Sequence, residues 1–228
     1  MVDILITERQ SFSEDVRCWR ASLADLNELV YVCRVCFPEY YRWRSFVPIG
    51  RKWWKVVLES EVSQTWVLED INGVFAFDLL VLDTALWKEE SKKRNGSFFF
   101  RILSVVCCPY PIVWKRLLKT TKMRFKSGRT EKKQASDSNN QTTAWVEMTA
   151  VLPRSRNQGW AIWLIQARGH RALQAGVSII ETRIDLDNVP SRRMADKAGY
   201  VLISEDPGGC LYRKYLKDDD RAHYNVSD

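Results

Sequence analysis

Chemistry in this chain can come from a short loop and from one carboxylate. The loop is Arg156, Asn157, Gln158, Gly159, Trp160 and Ala161, placed between an extended segment (142–150) and an amphipathic one that runs to about 174. A strand, a polar turn with one glycine and a helix start form a geometry for holding phosphate. The first turn of a helix leaves backbone N–H groups without partners, and the helix dipole adds partial positive charge there. Gly159 lets the backbone approach an anion closely, Ala161 keeps the next turn slim, and Arg156 can add a full charge. The carboxylate is Glu147, in an otherwise apolar strand. Strand alternation puts it on one face with Trp145 and Thr149. Burial there would raise its pKa towards that of a general base. A solvent-facing or salt-bridged Glu147 is the other reading, and the residues leave both open.

The elements that must position these groups follow from periodicity and punctuation. Residues 16–22 read as a short strand. Asp25 or Ser22 can cap a helix bearing Leu26, Leu29, Val30, Cys33 and Phe37 at helical spacing, and Pro38 ends it. Residues 40–60 predict further helix, broken near Pro48 and Gly50, with Trp53, Trp54, Val57 and Leu58 on its apolar face. Residues 65–68 and 74–82 are β-type runs, and Asn72-Gly73 between them is a hairpin signal. A strand at 142–152, a helix at 160–174 and a strand at 177–184 follow. In the helix, Ala161, Leu164, Ile165, Ala172 and Leu173 fall on one stripe. A short helix at 190–198 starts with a favourable proline and stops at Gly199. Two last strands, 200–204 and 210–215, join through Pro207-Gly208-Gly209, and a polar tail runs from about 218 to 228.

A second motif follows the 177–184 strand: Asn188, Ser191, Arg193, Lys197, Gly199 and Tyr200, in the order Asn-x-x-Ser-x-Arg-x-x-x-Lys-x-Gly-Tyr. Together with Arg156-x-x-Gly159-x-Ala161 it resembles the GCN5-related N-acetyltransferase (GNAT) superfamily. The first motif matches that family's pyrophosphate loop. The second resembles the ribosomal-protein N-acetyltransferase-like branch. The resemblance covers most of residues 16–216. It implies an α+β fold with a central mixed, mostly antiparallel twisted sheet of about seven strands and helices on both faces. It also implies an enzyme that transfers an acetyl group from the cosubstrate acetyl-CoA to a primary amine, with no metal.

The resemblance assigns roles to these residues. The pyrophosphate would lie on the amides of Arg156 to Ala161. The pantetheine arm would pair with the strand edge that includes Met148, Ala150 and Val151. Asn188 would hydrogen-bond that arm, and Ser191 is the next matched polar position. The thioester would reach the acceptor through a gap between the 142–152 and 177–184 strands. Many members carry a thiolate-protonating tyrosine where this chain has Ala195. That puts the general acid in doubt, and Tyr200 and Tyr212 are candidates by residue type alone. His170 reads as a surface histidine.

With 228 residues, 46% hydrophobic and 28% charged, the chain is long enough for one domain with a sizeable core. The sequence shows no signal peptide and no apolar run near the ~18 residues of a membrane span. Its six cysteines include Cys33-x-x-Cys36, but no second pair or nearby histidine completes a zinc set, so buried thiols in a reducing cytoplasm are expected. The net charge of +7 sits in one place: from Lys115 to Lys133 nine basic residues face one acid, netting +8 and leaving −1 elsewhere. That argues against a generally nucleic-acid-binding surface.

This basic run belongs to an insertion at about 86–141 that the family pattern lacks. An apolar stretch (98–114) precedes the run, and a Ser/Asn/Gln-rich linker (134–141) follows it. The pairing suits an anionic membrane surface, a lid, a phosphorylated ligand or a solvated loop. It motivates a small-molecule or sugar-nucleotide amine as acceptor and a cytoplasmic protein that can sit at the inner membrane surface. A protein N-terminal or lysine acetyltransferase, a non-catalytic acyl-CoA sensor, and a membrane- or nucleic-acid-binding module are the alternatives. The sequence leaves a homodimer open.

Overall fold

The computed structural model describes residues 10–13, 16–38, 46–94 and 142–217. The 98–114 stretch, the basic run from Lys115 to Lys133, the linker and the tail lie outside the described residues. The elements are β1 (Gln10–Ser13), β2 (Val16–Arg20), α1 (Leu26–Cys36), α2 (Phe46–Leu58), β3 (Ser63–Asp70), β4 (Gly73–Val81), α3 (Thr84–Arg94), β5 (Thr143–Val151), α4 (Trp160–Gln174), β6 (Ile179–Ile184), α5 (Val189–Lys197), β7 (Val201–Asp206) and β8 (Gly209–Tyr215). All eight strands form one sheet in the order β1-β2-β3-β4-β5-β6-β8-β7. Among the described strands, only β5 and β6 pair in parallel. The mixed, mostly antiparallel α+β fold is as expected, with β1 as an added edge strand.

Local chemistry sets several boundaries. Ser22 accepts from the Ala24 amide at 3.2 Å while Asp25 accepts from the Ser22 amide at 2.7 Å, a capping box on the 3₁₀ turn Leu23–Asp25 that leads into α1. Helix α2 does not break at Pro48 and Gly50: it runs through both. Pro48 lies in the first turn, where a helix needs no backbone donor. The β3–β4 turn is shifted by one from the expected Asn72-Gly73. Asp70 pairs with Gly73, leaving Ile71 and Asn72 as the turn. The Asn72 amide donates to Asp70 Oδ1 at 2.7 Å, and Gly73 has φ +93°, a conformation that favours glycine. The start of the insertion is helical, as α3.

The core has two parts. One joins α1 and α2 to β2–β5. In it Trp54, fully buried, meets the Phe77 ring edge-on at 5.1 Å. The other lies among α4, α5, β5, β6 and β8 around Ile165, Ile180, Tyr200 and Tyr212. Adjacent residues of α4 belong to different parts: Leu164 packs in the first and Ile165 in the second.

Candidate active site

The two parts of the core meet at a gap in the sheet. Strands β5 and β6 pair only from Thr143–Ile179 to Val146–Thr182. At that point β5 carries a one-residue bulge: Leu80 opposes Val146 and Leu79 opposes Met148, so Glu147 has no partner on β4. A bulge bends its strand and re-aims side chains. The bulge also corrects the alternation argument. Thr149 turns to the α4 side, onto Asp78 and Arg168, and so leaves the face of Glu147. Met148 turns the other way, with Cys33 Sγ of α1 at 3.9 Å from its sulfur.

The gap opens into a cleft of about 590 Å³ that passes between the two sides of the sheet. Phe37, Gly50 and Trp53 line one side. Arg168, Asn188, Ser191, Ala195 and Tyr200 line the other, and Glu147 and Met148 lie on β5 between them. Glu147 is reached by solvent through this cleft yet is crowded by protein. Burial pushes its carboxyl above the usual range, and neighbouring Trp145 opposes that only in part. The raised direction and the solvent-facing position thus occur together at Glu147.

On the α4 side of the sheet, Arg168 donates to Asp78 Oδ1 at 2.8 Å and to Thr149 Oγ1 at 3.2 Å, and Thr149 donates to Asp78 at 2.6 Å. Arg168 and Asp78 are 3% and 1% exposed, so this ion pair is a true core contact. Burial works against the Arg168 charge, but Asp78 holds its pKa above the ordinary arginine value. The Tyr200 ring centre lies 6.0 Å from the Arg168 guanidinium carbon. The Tyr200 hydroxyl is buried beside the Arg168 guanidinium; burial raises its pKa, and Arg168 opposes that in part. Sequence reasoning missed Asp78 and Arg168 as an ion pair at the cleft wall, and Phe37 as a cleft group. A signal existed for the first two: an acid inside the apolar run of β4 and an arginine on the apolar side of α4.

The loop keeps its expected form. A 3₁₀ turn, Pro153–Ser155, leads into Asn157 at φ +63° and Gly159 at φ +87°. Gly159 is the N-cap of α4, and no side chain caps that helix. The first-turn amides of Trp160 and Ala161 therefore retain the donor character of a helix start. A Cβ at Gly159 would meet nothing within 4 Å, so glycine is required there by its dihedral angles and not by crowding. Gln158 accepts from the Trp160 indole at 3.0 Å. Arg154 ties the loop to Asp70 at 3.1 Å. Arg156 folds back, its Nε donating to the Val151 carbonyl at 3.0 Å, where Cys36 Sγ also lies at 3.3 Å. The edge of Glu147 to Ala150 that faces the gap is thus more open than Val151.

Asn188 is the N-cap of α5 and accepts from the Ser191 amide at 3.3 Å. Its amide N–H₂ is the end left to meet a ligand. Ala195 is buried in the cleft wall, so the wall there is a methyl group. Cys33 is buried and Cys36 half-buried, both as free thiols. His170 is half-buried on α4 and is not among the residues that line the cleft. No helix among the described residues is long and apolar enough to cross a membrane.

Residues 130–200 match the family model of the acetyltransferase (GNAT) family. Solved structures share the fold at low sequence identity. The PaiA N-acetyltransferase of Thermoplasma acidophilum, in complex with coenzyme A, is 10% identical with a TM-score of 0.56, covering 88% of this chain and 98% of that one. The ribosomal-protein-S18-alanine N-acetyltransferase of Escherichia coli is 9% identical with a TM-score of 0.53, covering 93% and 99%. An N-acetyltransferase of Staphylococcus aureus Mu50 is 16% identical with a TM-score of 0.53, covering 90% and 100%. No curated protein matches the chain in sequence. The fold is thus the GNAT fold, and residues 130–200 carry the family match.

Proposed function

We propose that the protein is an acyl-CoA-dependent N-acyltransferase that moves an acetyl group from acetyl-CoA to a small-molecule primary amine in the cytoplasm. The observation that carries this reading is the gap between β5 and β6, with the Gly159 loop at one end and Glu147 at the splay point.

In this reading the pyrophosphate lies on the loop amides of Arg156, Asn157, Gln158, Gly159, Trp160 and Ala161. Arg156 swings off Val151 to meet it. The pantetheine arm runs along β5 at Met148, Ala150 and Val151, with the Asn188 amide and Ser191 across from it. Glu147 takes a proton from the acceptor, either directly or through one water. The amine nitrogen then bonds to the thioester carbon, the C–S bond breaks, and the nitrogen gives up its remaining surplus proton to solvent. With a methyl group at Ala195, the thiolate leaves without a tyrosine there and takes its proton from solvent. A raised glutamate pKa suits a base that must both accept and release a proton near neutrality.

Titration calorimetry with acetyl-CoA tests the binding part, and heat with micromolar affinity is expected. The absence of heat and of a thermal shift at millimolar acetyl-CoA would sink it. Thiol release with a panel of amines then separates an enzyme from a silent acyl-CoA binder, the reading that Ala195 favours.

A further inference from the structure

The two sides of the cleft differ in what they can recognise. Two arginines line it among the described residues, and both are already committed. Arg168 is held by Asp78 at 2.8 Å and Arg183 by Asp206 at 2.9 and 3.0 Å. A phosphorylated or carboxylated acceptor would have to break one of these pairs to find a positive charge there. It would also face the carboxylates of Glu147 and Asp185, which line the same cleft. An ammonium group meets the opposite situation.

On the α1–α2 side the wall is Phe37, Gly50 and Trp53. Trp53 is not a loose surface ring. It stands edge-on to Trp54 at 5.0 Å, and Trp54 is locked against Phe77. A fixed indole face is a platform for apolar or aromatic groups and also attracts cations.

We infer that the acceptor is a primary amine, cationic in solution, on a short linker to an apolar or aromatic body. The body lies against Trp53 and Phe37 while the nitrogen reaches Glu147. This rests on the acyltransferase reading and narrows it away from sugar nucleotides and other phosphorylated amines.

The test is thiol release from acetyl-CoA by the full chain with 2-phenylethylamine, tryptamine, glucosamine 6-phosphate and an alanine-terminated peptide. At least a tenfold higher kcat/KM is expected for the two aromatic amines than for the amino-sugar phosphate. Trp53→Ala is expected to raise KM for 2-phenylethylamine about tenfold, the order of effect of losing one aromatic contact. Acetyl-CoA affinity should stay within twofold, and Trp53→Phe should restore most of the KM. Equal or faster turnover of glucosamine 6-phosphate or of the peptide would overturn the inference, even if Trp53→Ala failed to fold. So would an unmoved KM in a folded Trp53→Ala. If the wild-type chain gave no heat with acetyl-CoA, the acyltransferase reading itself would fall. If it bound acetyl-CoA and rejected the aromatic amines, only the present inference would.

Discussion

On the α4–α5 side of the cleft, the backbone is fixed a few residues at a time. Gly159 at φ +87° starts α4, Asn188 caps α5 through the Ser191 amide, and Gly199 at φ +80° ends it. On the α1–α2 side, caps set the ends of α1, but Trp53 in the wall rests on tertiary packing. Trp53 is placed by Trp54, and Trp54 by Phe77 on a strand from another part of the chain. The first side would hold its ligand with backbone amides and caps. The second would hold its ligand with side-chain surfaces. A site made of backbone needs the right residue at the right local position, and that can be read from a motif. A site made of packed side chains exists only after distant segments have met.

The sharpest break of this comparison falls at the ion pair that joins α4 to β4, the strand that also carries Phe77. Asp78→Ala leaves the Arg168 guanidinium buried and unpaired, and is expected to cost about 3–5 kcal/mol. Urea unfolding measures it. Replacing both partners, Asp78→Leu with Arg168→Met, is expected to recover much of that loss, since the desolvated charges go together. A single Asp78→Ala within 1 kcal/mol of wild type would mean the tie is not structural.

Next in size is Glu147→Gln, at the splay point shared by both sides. It is expected to lower kcat/KM about a hundredfold at neutral pH, the lower range for loss of a positioned base. Wild-type activity should fall as pH drops through the raised Glu147 pKa, at a higher pH than the ~4.3 of a free glutamate would give. Stability has the opposite sign. The folded state favours the protonated carboxyl, so ionisation removes stability as pH rises from the unfolded pKa through the raised folded one. The variant should therefore melt no lower than wild type at neutral pH. A pH–rate profile and a melting curve check the two together.

The smallest effect belongs to the locally built side. Asn188→Ala removes one helix cap and is expected to cost about 1 kcal/mol. Acetyl-CoA affinity should also weaken, while KM for the amine stays unmoved. Thermal melts and calorimetry distinguish these. An amine KM that moves as far as acetyl-CoA affinity would show that the two sides do not work separately.

Much of the fold was legible, for identifiable reasons. Helix α4 runs over 160–174 as expected because a glycine start and a regular apolar stripe leave little choice. Strands β5, β6 and β8 and helix α5 fall within a few residues of their expected spans. The continuous α2 was not legible, because proline and glycine read as a break unless the helix start is known. Nor was the face of Thr149. Alternation counts residues, and a bulge spends one without a sequence mark.

Taken alone, the sequence determined the sites where backbone geometry is local: the Gly159 loop, the Asn188 cap, the Gly199 stop and the presence of a carboxylate in an apolar strand. Only the tertiary structure decided that Glu147 stands at the splay of β5 and β6, that Asp78 and Arg168 neutralise each other beneath it, and that Trp53 and Phe37 form a wall opposite Asn188. The physical reason is separation along the chain. Dihedral preferences and caps act within a turn or two. Ion pairing and aromatic packing join segments far apart, and their outcome depends on which faces the folded sheet brings together.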